Sequence, residues 1–256
     1  MEDLIPRPAA RSLLLLPLLL LVALPAAANA PTCDIDAIDV FPANGSRVPT
    51  NARFLVEGFG PRAGQLRRLI GKTLVMTSGR DKASVKVQSA FSAGDERIAV
   101  ALVPTKPLAP GAEWTLELGR VLPQVRFRGG GDASRLSWTT GSGLDRESPV
   151  FKQSPAIEEG RVVNGERQVV VRVNARESGP VIAVAKLRLS AGSSPTRRYF
   201  TPVRGGRAII GDSACGGWDL EYGRAYRMKL EAVDVVGQAT RETDEIEFNA
   251  PRGGQR

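Results

Sequence analysis

Apolar and polar residues alternate in short stretches on both sides of residues 138–151, and this pattern limits the fold more than any other feature. Alternation with a period of two places one set of side chains on each face of a β-strand. In the first half it predicts strands at residues 34–41, 52–59, 73–77, 83–90, 97–103, 113–118 and 135–140. In the second half it predicts strands at residues 150–153, 168–174, 182–190, 197–202, 207–210, 226–233 and 244–248. Short strands separated by turn residues predict an all-β chain of two tandem β-sandwiches.

Residues 138–151 separate the two halves. Gly141 and Gly143 loosen the backbone, and Pro149 returns the chain to an extended conformation at a new strand. We interpret this segment as a short interdomain hinge. The predicted domains are therefore residues 29–146 and 147–250, followed by a disordered tail at residues 251–256.

The N-terminus has the composition of a secretory signal peptide. Arg7 and Arg11 precede an apolar run at residues 12–24, and small residues follow it up to Ala30. Cleavage is expected after Ala28, so the signal peptide spans residues 1–28. The apolar run is too short for a comfortable membrane span. The mature protein is expected to be secreted or periplasmic with no membrane span, the alternative being an uncleaved leader that acts as an anchor.

The composition excludes several kinds of catalytic and metal site. The chain contains no histidine and two cysteines. This removes Ser-His-Asp and Cys-His pairings and the usual zinc and copper ligand. No catalytic residue, metal site or cofactor is predicted, and we expect a protein that is not an enzyme.

The two cysteines, Cys33 and Cys215, fall in different predicted domains. Cysteines of exported proteins commonly pair. In an extended tandem of sandwiches, however, these two would lie roughly 60 Å or more apart, which is far beyond bridging distance. A disulfide therefore requires the halves to fold back side by side. The sequence leaves open both this arrangement and two unpaired thiols.

The first half resembles bacterial immunoglobulin-like (Ig-like) domains of surface-layer and cell-envelope proteins. The resemblance covers the whole predicted domain and lies in Phe41-Pro-Ala-Asn-Gly-Ser-Arg-Val-Pro-Thr-Asn-Ala, Leu108-Ala-Pro-Gly-Ala-Glu-Trp-Thr-Leu-Glu-Leu and Trp138-Thr-Thr-Gly. In the second half, Val233-Asp-Val-Val-Gly-Gln-Ala is similar to a turn of Ig-like and fibronectin-like modules. These motifs imply a fold and not an activity.

One spacing recurs in both halves. Residues 108–118 align without a gap on residues 220–230, which places Trp114 opposite Tyr226. In an Ig-like sandwich this position is the corner before the sixth strand, where an aromatic ring packs inward and its polar tip hydrogen-bonds to nearby backbone. Trp114 and Tyr226 are therefore predicted to be structural corner residues.

Basic residues gather in two loops of the first half that an Ig-like sandwich brings to one end. The net charge of the chain is +8, which favours anionic partners, although a solvated basic surface is the stronger alternative. The candidate anion-binding residues are Arg62, Arg67, Arg68, Lys72, Arg120, Arg126 and Arg128. The second half offers Arg197, Arg198, Arg204 and Arg207 around Tyr199 and Phe200.

Taken together, these patterns favour an exported structural or protein-interaction module of the cell envelope. Its expected partner is another envelope or extracellular protein. The alternative is an accessory protein that binds carbohydrate or a polyanion such as an acidic polysaccharide. Nucleic acid is not expected as a partner, because the chain has no recognition motif for it.

Overall fold

The computed structural model describes residues 33–176 and 179–253. The predicted signal peptide and residues 254–256 of the predicted tail lie outside the described residues. The chain is all-β, as predicted, and its described residues form one compact unit. Within the described ranges, no helix has the length and apolar character needed to cross a bilayer.

From residue 33 onward, the first half contains eight strands, one α-helix and a short 3-10 helix at Leu118–Arg120. The strands are β1 (Ile38–Phe41), β2 (Arg47–Val48), β3 (Phe54–Phe59), β4 (Thr73–Ser78), β5 (Asp81–Ser92), β6 (Arg97–Pro104), β7 (Glu113–Glu117) and β8 (Arg135–Thr140), and α1 spans Pro61–Arg67. Their hydrogen-bonded order is β1-β3-β6-β5-β4-β7-β8-β2. The rings of Phe54 in β3 and Trp138 in β8 lie 4.1 Å apart although their strands are far apart in this order. The sheet therefore folds over on itself around a shared core.

The described residues of the second half form three sheets. Its strands are β9 (Val150–Phe151), β10 (Ala156–Val163), β11 (Glu166–Arg172), β12 (Ala175–Arg176), β13 (Val181–Leu189), β14 (Arg197–Pro202), β15 (Arg207–Ile210), β16 (Ala225–Asp234) and β17 (Ile246–Asn249), with a 3-10 helix at Ala214–Gly216. The sheets have the orders β10-β11-β15, β14-β13-β16-β17 and β12-β9. In β16, Tyr226, Met228, Leu230 and Ala232 are buried and alternate with half-buried residues. This alternation matches the period of a strand with one face on a core.

Helix α1 occupies the segment that the sequence pattern assigned to a loop between the second and third predicted strands. Gly60 precedes it with a φ of 52°, and Pro61 lies in its first turn. A Cβ on Gly60 would overlap the carbonyl oxygen of Ile35. Glycine is therefore required there, and the fixed φ of Pro61 suits the start of a helix.

The segment interpreted as a hinge is bonded to both halves. Gly141 N donates to Val48 O (2.7 Å), and Thr50 N donates to Gly143 O (3.0 Å). Asn51 exchanges two hydrogen bonds with the backbone of Asp145, at 2.8 and 2.9 Å. Ser148 donates to Gln238 in the second half (2.9 Å). These hydrogen bonds connect the segment to both halves and restrict its movement.

Trp114 and Tyr226 lie at equivalent places in the two halves. Trp114 Nε1 donates to Ala109 O at 3.4 Å, and Tyr226 Oη accepts from Glu221 N at 2.8 Å. Ala109 and Glu221 are themselves aligned by the repeated spacing. Both aromatic residues are buried. Each half therefore bonds an aromatic tip to backbone five residues upstream.

The corner bond of Tyr226 is expected to contribute measurably to stability. Tyr226→Phe removes the acceptor of Glu221 N–H, and we expect the free energy of unfolding to fall by about 1 kcal/mol. Urea denaturation would measure the change. Tyr222→Phe is the matched control, because Tyr222 is 61% exposed. If Tyr226→Phe and Tyr222→Phe lower the free energy of unfolding equally, the hydrogen bond between Tyr226 and Glu221 does not stabilise the fold.

Candidate functional site

A disulfide joins the two halves. Cys33 and Cys215 are bonded, with Cα atoms 5.1 Å apart and a sequence separation of 182 residues. Cys33 N also donates to Glu96 Oε2 at 2.9 Å. Of the two arrangements that the sequence left open, the structure has the one in which the halves lie side by side.

Next to the disulfide, Arg97 links the halves from a buried position. Its side chain is 3% exposed, and its Nε lies 2.7 Å from Glu57 Oε1 within the first half. Its Nη2 lies 3.1 Å from Asp212 Oδ2 of the second half, while Nη1 donates to the carbonyl oxygens of Asp212 (3.1 Å) and Ala214 (3.2 Å). Arg97 thus bonds to both halves at once.

Arg128 extends this network. Its guanidinium lies 3.3 Å from Asp39 of the first half and 2.9 Å from Asp212 of the second. We call Arg97, Arg128, Asp39, Glu57 and Asp212 the interface charge cluster. Charge-assisted hydrogen bonds are stronger than neutral ones, particularly away from water.

Aromatic rings surround the interface charge cluster. The Arg97 guanidinium lies 5.0 Å from the ring centre of Phe59 and 4.6 Å from that of Tyr199, so one ring comes from each half. Phe91 of β5 packs on Phe200 of β14 with ring centres 4.6 Å apart. Tyr199 in turn contacts Trp218 edge to face. Cation–π and ring contacts therefore accompany the ion pairs between the halves.

The cluster shifts the pKa values of its carboxyl groups in different directions. Burial raises the pKa of Glu57 to about 7, against the opposing effect of Arg97. Burial also raises the pKa of Asp39, with Arg128 opposing. For Asp212, burial would raise the pKa, but Arg97 and Arg128 together outweigh it and lower the pKa. Asp212 is therefore the firmly ionised partner, whereas Glu57 titrates near neutral pH.

Glu57 is expected to make stability depend on pH. Because its folded pKa is raised from 4.5 to about 7, the folded state binds more protons than the unfolded state between these values. Glu57 thus makes its full contribution to the free energy of unfolding below pH 4.5. This contribution falls as the pH rises from 4.5 through 7, and the total loss is about 3 kcal/mol.

Glu57→Gln, which keeps an oxygen acceptor for Arg97, provides the comparison. We expect wild type to lose more stability than this variant between pH 5 and pH 8 in urea denaturation. If the difference in free energy of unfolding between wild type and Glu57→Gln stays constant with pH, Glu57 does not titrate in this range.

An open cleft of about 1060 Å³ lies between the halves and borders the interface charge cluster. Gln168, Val170 and Arg172 of β11 line it, while Val169 and Val171 face the core. The cleft therefore lies on the outer side of the β10-β11-β15 sheet, and residues of β1, β3 and β14 also line it. Six arginines line it: Arg97, Arg128, Arg161, Arg172, Arg204 and Arg207. Six carboxylates balance them: Asp39, Glu57, Glu158, Glu159, Glu166 and Asp212.

The predicted anion-binding residues of the first half are only partly available. Arg62 is 6% exposed, lies 2.8 Å from Asp36 and donates to Pro123 O, so it binds α1 to the loop before β8. Arg67 lies 3.3 Å from Asp95, and Arg128 belongs to the interface charge cluster. The other predicted anion-binding residues of the first half are exposed: Arg68, Lys72, Arg120 and Arg126.

In the second half, Arg204 and Arg207 line the cleft together with Tyr199 and Phe200, which the sequence had grouped with them. Arg198 instead pairs with Glu231 at 3.4 Å. The sequence did not single out Arg97 or Glu57. A lone carboxylate in the apolar strand Phe54–Phe59 was the available signal, because an unpaired buried charge is costly and requires a partner.

Among residues 33–176 and 179–253, no group of three or more histidine, cysteine, aspartate or glutamate side chains is placed to hold a metal ion.

The sequence matches no protein-family model and none of the curated proteins. Among solved structures, it is similar to the N-terminal part of the bacterial S-layer protein SbsC, with 10% identity and a TM-score of 0.24. The match covers 84% of this chain and 43% of that structure. This chain thus spans less than half of the length of that structure, and the function proposed below depends on the residues of this chain alone.

Proposed function

We propose that this protein is an exported structural or protein-interaction module of the cell envelope, without enzymatic activity, in which two Ig-like sandwiches are fixed side by side. The Cys33–Cys215 disulfide carries the proposal. Disulfides persist in oxidising compartments such as the periplasm and the extracellular space. This one joins the two halves and does not reinforce either of them alone.

Strand order supports the two Ig-like sandwiches. In the constant-type Ig sandwich, one sheet has strands A, B, E and D and the other has C, F and G. The first half has the same neighbours, with β1-β3-β6-β5 followed by β4-β7-β8. The second half has the sheets β10-β11-β15 and β14-β13-β16-β17, which correspond to A-B-E and to C, F and G with one added strand.

The fixed orientation of the halves favours a binding role over a flexible tether. The disulfide, the interface charge cluster and the bonded connection all restrict movement between the halves. A restricted pair presents a single composite surface to a partner, and preorganisation of this kind reduces the entropy lost on binding.

The accessibility of the aromatic residues favours a protein partner over carbohydrate. A carbohydrate-binding protein would require an exposed row of aromatic rings. Trp114, Trp138, Trp218, Tyr199 and Tyr226 are all at most 5% exposed. Among the described tryptophans and tyrosines, only Tyr222 is exposed.

Thiol alkylation in intact cells tests the proposal. Cells are treated with a thiol-alkylating reagent before lysis and fractionation. We expect the protein in the periplasmic, envelope or secreted fraction, with Cys33 and Cys215 alkylated only after reduction. A protein found in the cytoplasm, with both thiols alkylated without prior reduction, would refute the proposal. A Cys33→Ser/Cys215→Ser variant gives the labelling background.

The polyanion alternative has its own test. Heparin-agarose chromatography at physiological salt should not retain the protein, because Arg62 and Arg128 are already paired with carboxylates of the chain. Retention that is lost when Arg68 and Arg120 are replaced by alanine would favour the alternative.

A further inference from the structure

The cleft between the halves has the dimensions of a binding site. Its volume of about 1060 Å³ is slightly above the range for small-molecule pockets, about 300–1,000 Å³. It is open and mixed in polarity, with Leu55, Val170 and Ile209 beside charged side chains. An extended ligand with both polar and apolar groups would match this lining better than a compact apolar molecule.

A buried hydroxyl in the cleft lacks a partner. Tyr199 lines the cleft and is 3% exposed. Its Oη forms no hydrogen bond with any described residue. Buried hydroxyl groups are nearly always hydrogen-bonded. The Tyr199 hydroxyl is therefore a buried polar group at the cleft wall whose hydrogen bonding the described residues do not satisfy.

One corner of the cleft has an excess of positive charge. Arg172 lies directly opposite Arg207 in the β11–β15 pairing. Arg204 and Arg207 exchange two backbone hydrogen bonds, at 2.8 and 3.0 Å. Glu158 lies 2.7 Å from Arg207, whereas no described carboxylate lies within ion-pair distance of Arg172 or Arg204. Like charges facing each other across a sheet are unfavourable, and a ligand carboxylate would relieve this repulsion through bidentate bonds.

Two strands that line the cleft have backbone groups that face away from their neighbouring strands. In β1, Ile38 N and O bond to Arg126 and Arg128, away from β3. Val40 is two residues further along and lines the cleft, so its N–H and C=O also face away from β3. In β15, Gly206 O accepts from Val173 of the neighbouring segment. By the same alternation, the backbone groups of Ile209 point away from β11.

We propose that this cleft binds an extended polypeptide segment that carries an acidic side chain. The backbone of the segment bonds to the free edges at Val40 and Ile209, as in strand addition. Its carboxylate pairs with Arg172 and Arg204, and an apolar neighbour packs on Leu55 and Val170. The inference rests on the proposed interaction function and names the partner class and the place of binding.

Peptide display on the purified, oxidised protein tests the inference. A random dodecapeptide library is selected on wild type and counter-selected on the Arg172→Ala/Arg204→Ala variant. We expect selected peptides to be enriched in aspartate and glutamate and to bind the variant at least about tenfold more weakly. The matched control is Arg68→Ala/Arg120→Ala, which removes two exposed arginines outside the cleft and should leave binding within about twofold.

A second pair of variants tests the cleft without changing arginine. Ile209 and Val75 are exposed strand residues, at 37% and 50%, but only Ile209 lines the cleft. Ile209→Asp should abolish binding of the selected peptides, and Val75→Asp should not. Circular dichroism and thermal melting verify that each variant is folded.

Three results would overturn the inference. One is the absence of any peptide that prefers wild type to the arginine variant. Another is peptide binding that is lost in the Arg68→Ala/Arg120→Ala variant, or that Ile209→Asp and Val75→Asp weaken to the same extent. The third is binding of a twelve-unit oligogalacturonate through Arg172 and Arg204 when no acidic peptide binds, since this would assign the cleft to polysaccharide. Cytoplasmic location with reduced thiols would refute the envelope function separately, because the display experiment measures binding in vitro.

Discussion

Replacing Cys33 and Cys215 together by serine is expected to lower the free energy of unfolding by about 5 kcal/mol. The bond closes a loop over a sequence separation of 182 residues, and the entropy that a cross-link removes from the unfolded chain grows with loop length. The two serines add no bulk at the interface. The loss should therefore come mainly from the unfolded state and from freedom of movement between the halves.

Urea denaturation without reductant measures this loss. Wild type with added reductant should unfold like the serine variant, and reductant should not affect the variant. We also expect the variant to unfold in two steps, because each half has its own sheets and the remaining contacts couple them less strongly. A variant that unfolds in one step within about 1 kcal/mol of oxidised wild type would show that the interface alone holds the halves together.

Replacing Arg97 by methionine is expected to cost about 3–5 kcal/mol at pH 8. The substitution leaves Glu57, which is 6% exposed, without its partner at 2.7 Å. It also removes the bonds to Asp212 and Ala214 in the other half. At pH 5 the loss should be smaller, because Glu57 can then be protonated at a lower cost.

A rescue variant and a surface control make this prediction specific. Arg97→Met/Glu57→Leu should recover a large part of the loss, because an apolar pair can replace a buried ion pair without leaving a charge unpaired. Arg135→Met breaks an exposed pair with Glu117 at 3.7 Å and should cost less than about 1 kcal/mol. An Arg97→Met loss no larger than that of Arg135→Met would contradict the role of Arg97 at the interface.

The regular strands of this fold could be predicted from the sequence because their alternation is strong. Arg135–Thr140, Arg197–Pro202 and Arg207–Ile210 have the predicted bounds. Strand β10 was missed because Ile-Glu-Glu-Gly-Arg interrupts the alternation and an edge strand is largely exposed. Helix α1 was missed because seven residues are too few to establish a helical period, although Gly60-Pro61 gave the start signal.

The interface was less predictable than the strands, because it depends on residues far apart in sequence. The two cysteines indicated that the halves could meet, but they did not decide between a folded-back pair and an extended tandem with unpaired thiols. Arg97 and Asp212 are 115 residues apart, and each is an unremarkable charged residue within its own segment. The cleft was anticipated only in part, through Arg128 in the first half and through Arg204, Arg207 and the two aromatic residues beside them in the second. Its opposite wall could not be placed without the relative orientation of the halves.

The order of residues in the disulfide has a consequence for how the protein matures. At about 5–20 residues per second, translation reaches Cys215 about 10 to 40 s after Cys33. The first half has been synthesised well before then, so its strands can pair while Cys33 is still an unpaired thiol. Because the chain has two cysteines, oxidation within one molecule has a single product. Maturation therefore requires an oxidant but no isomerase to correct mispaired bonds.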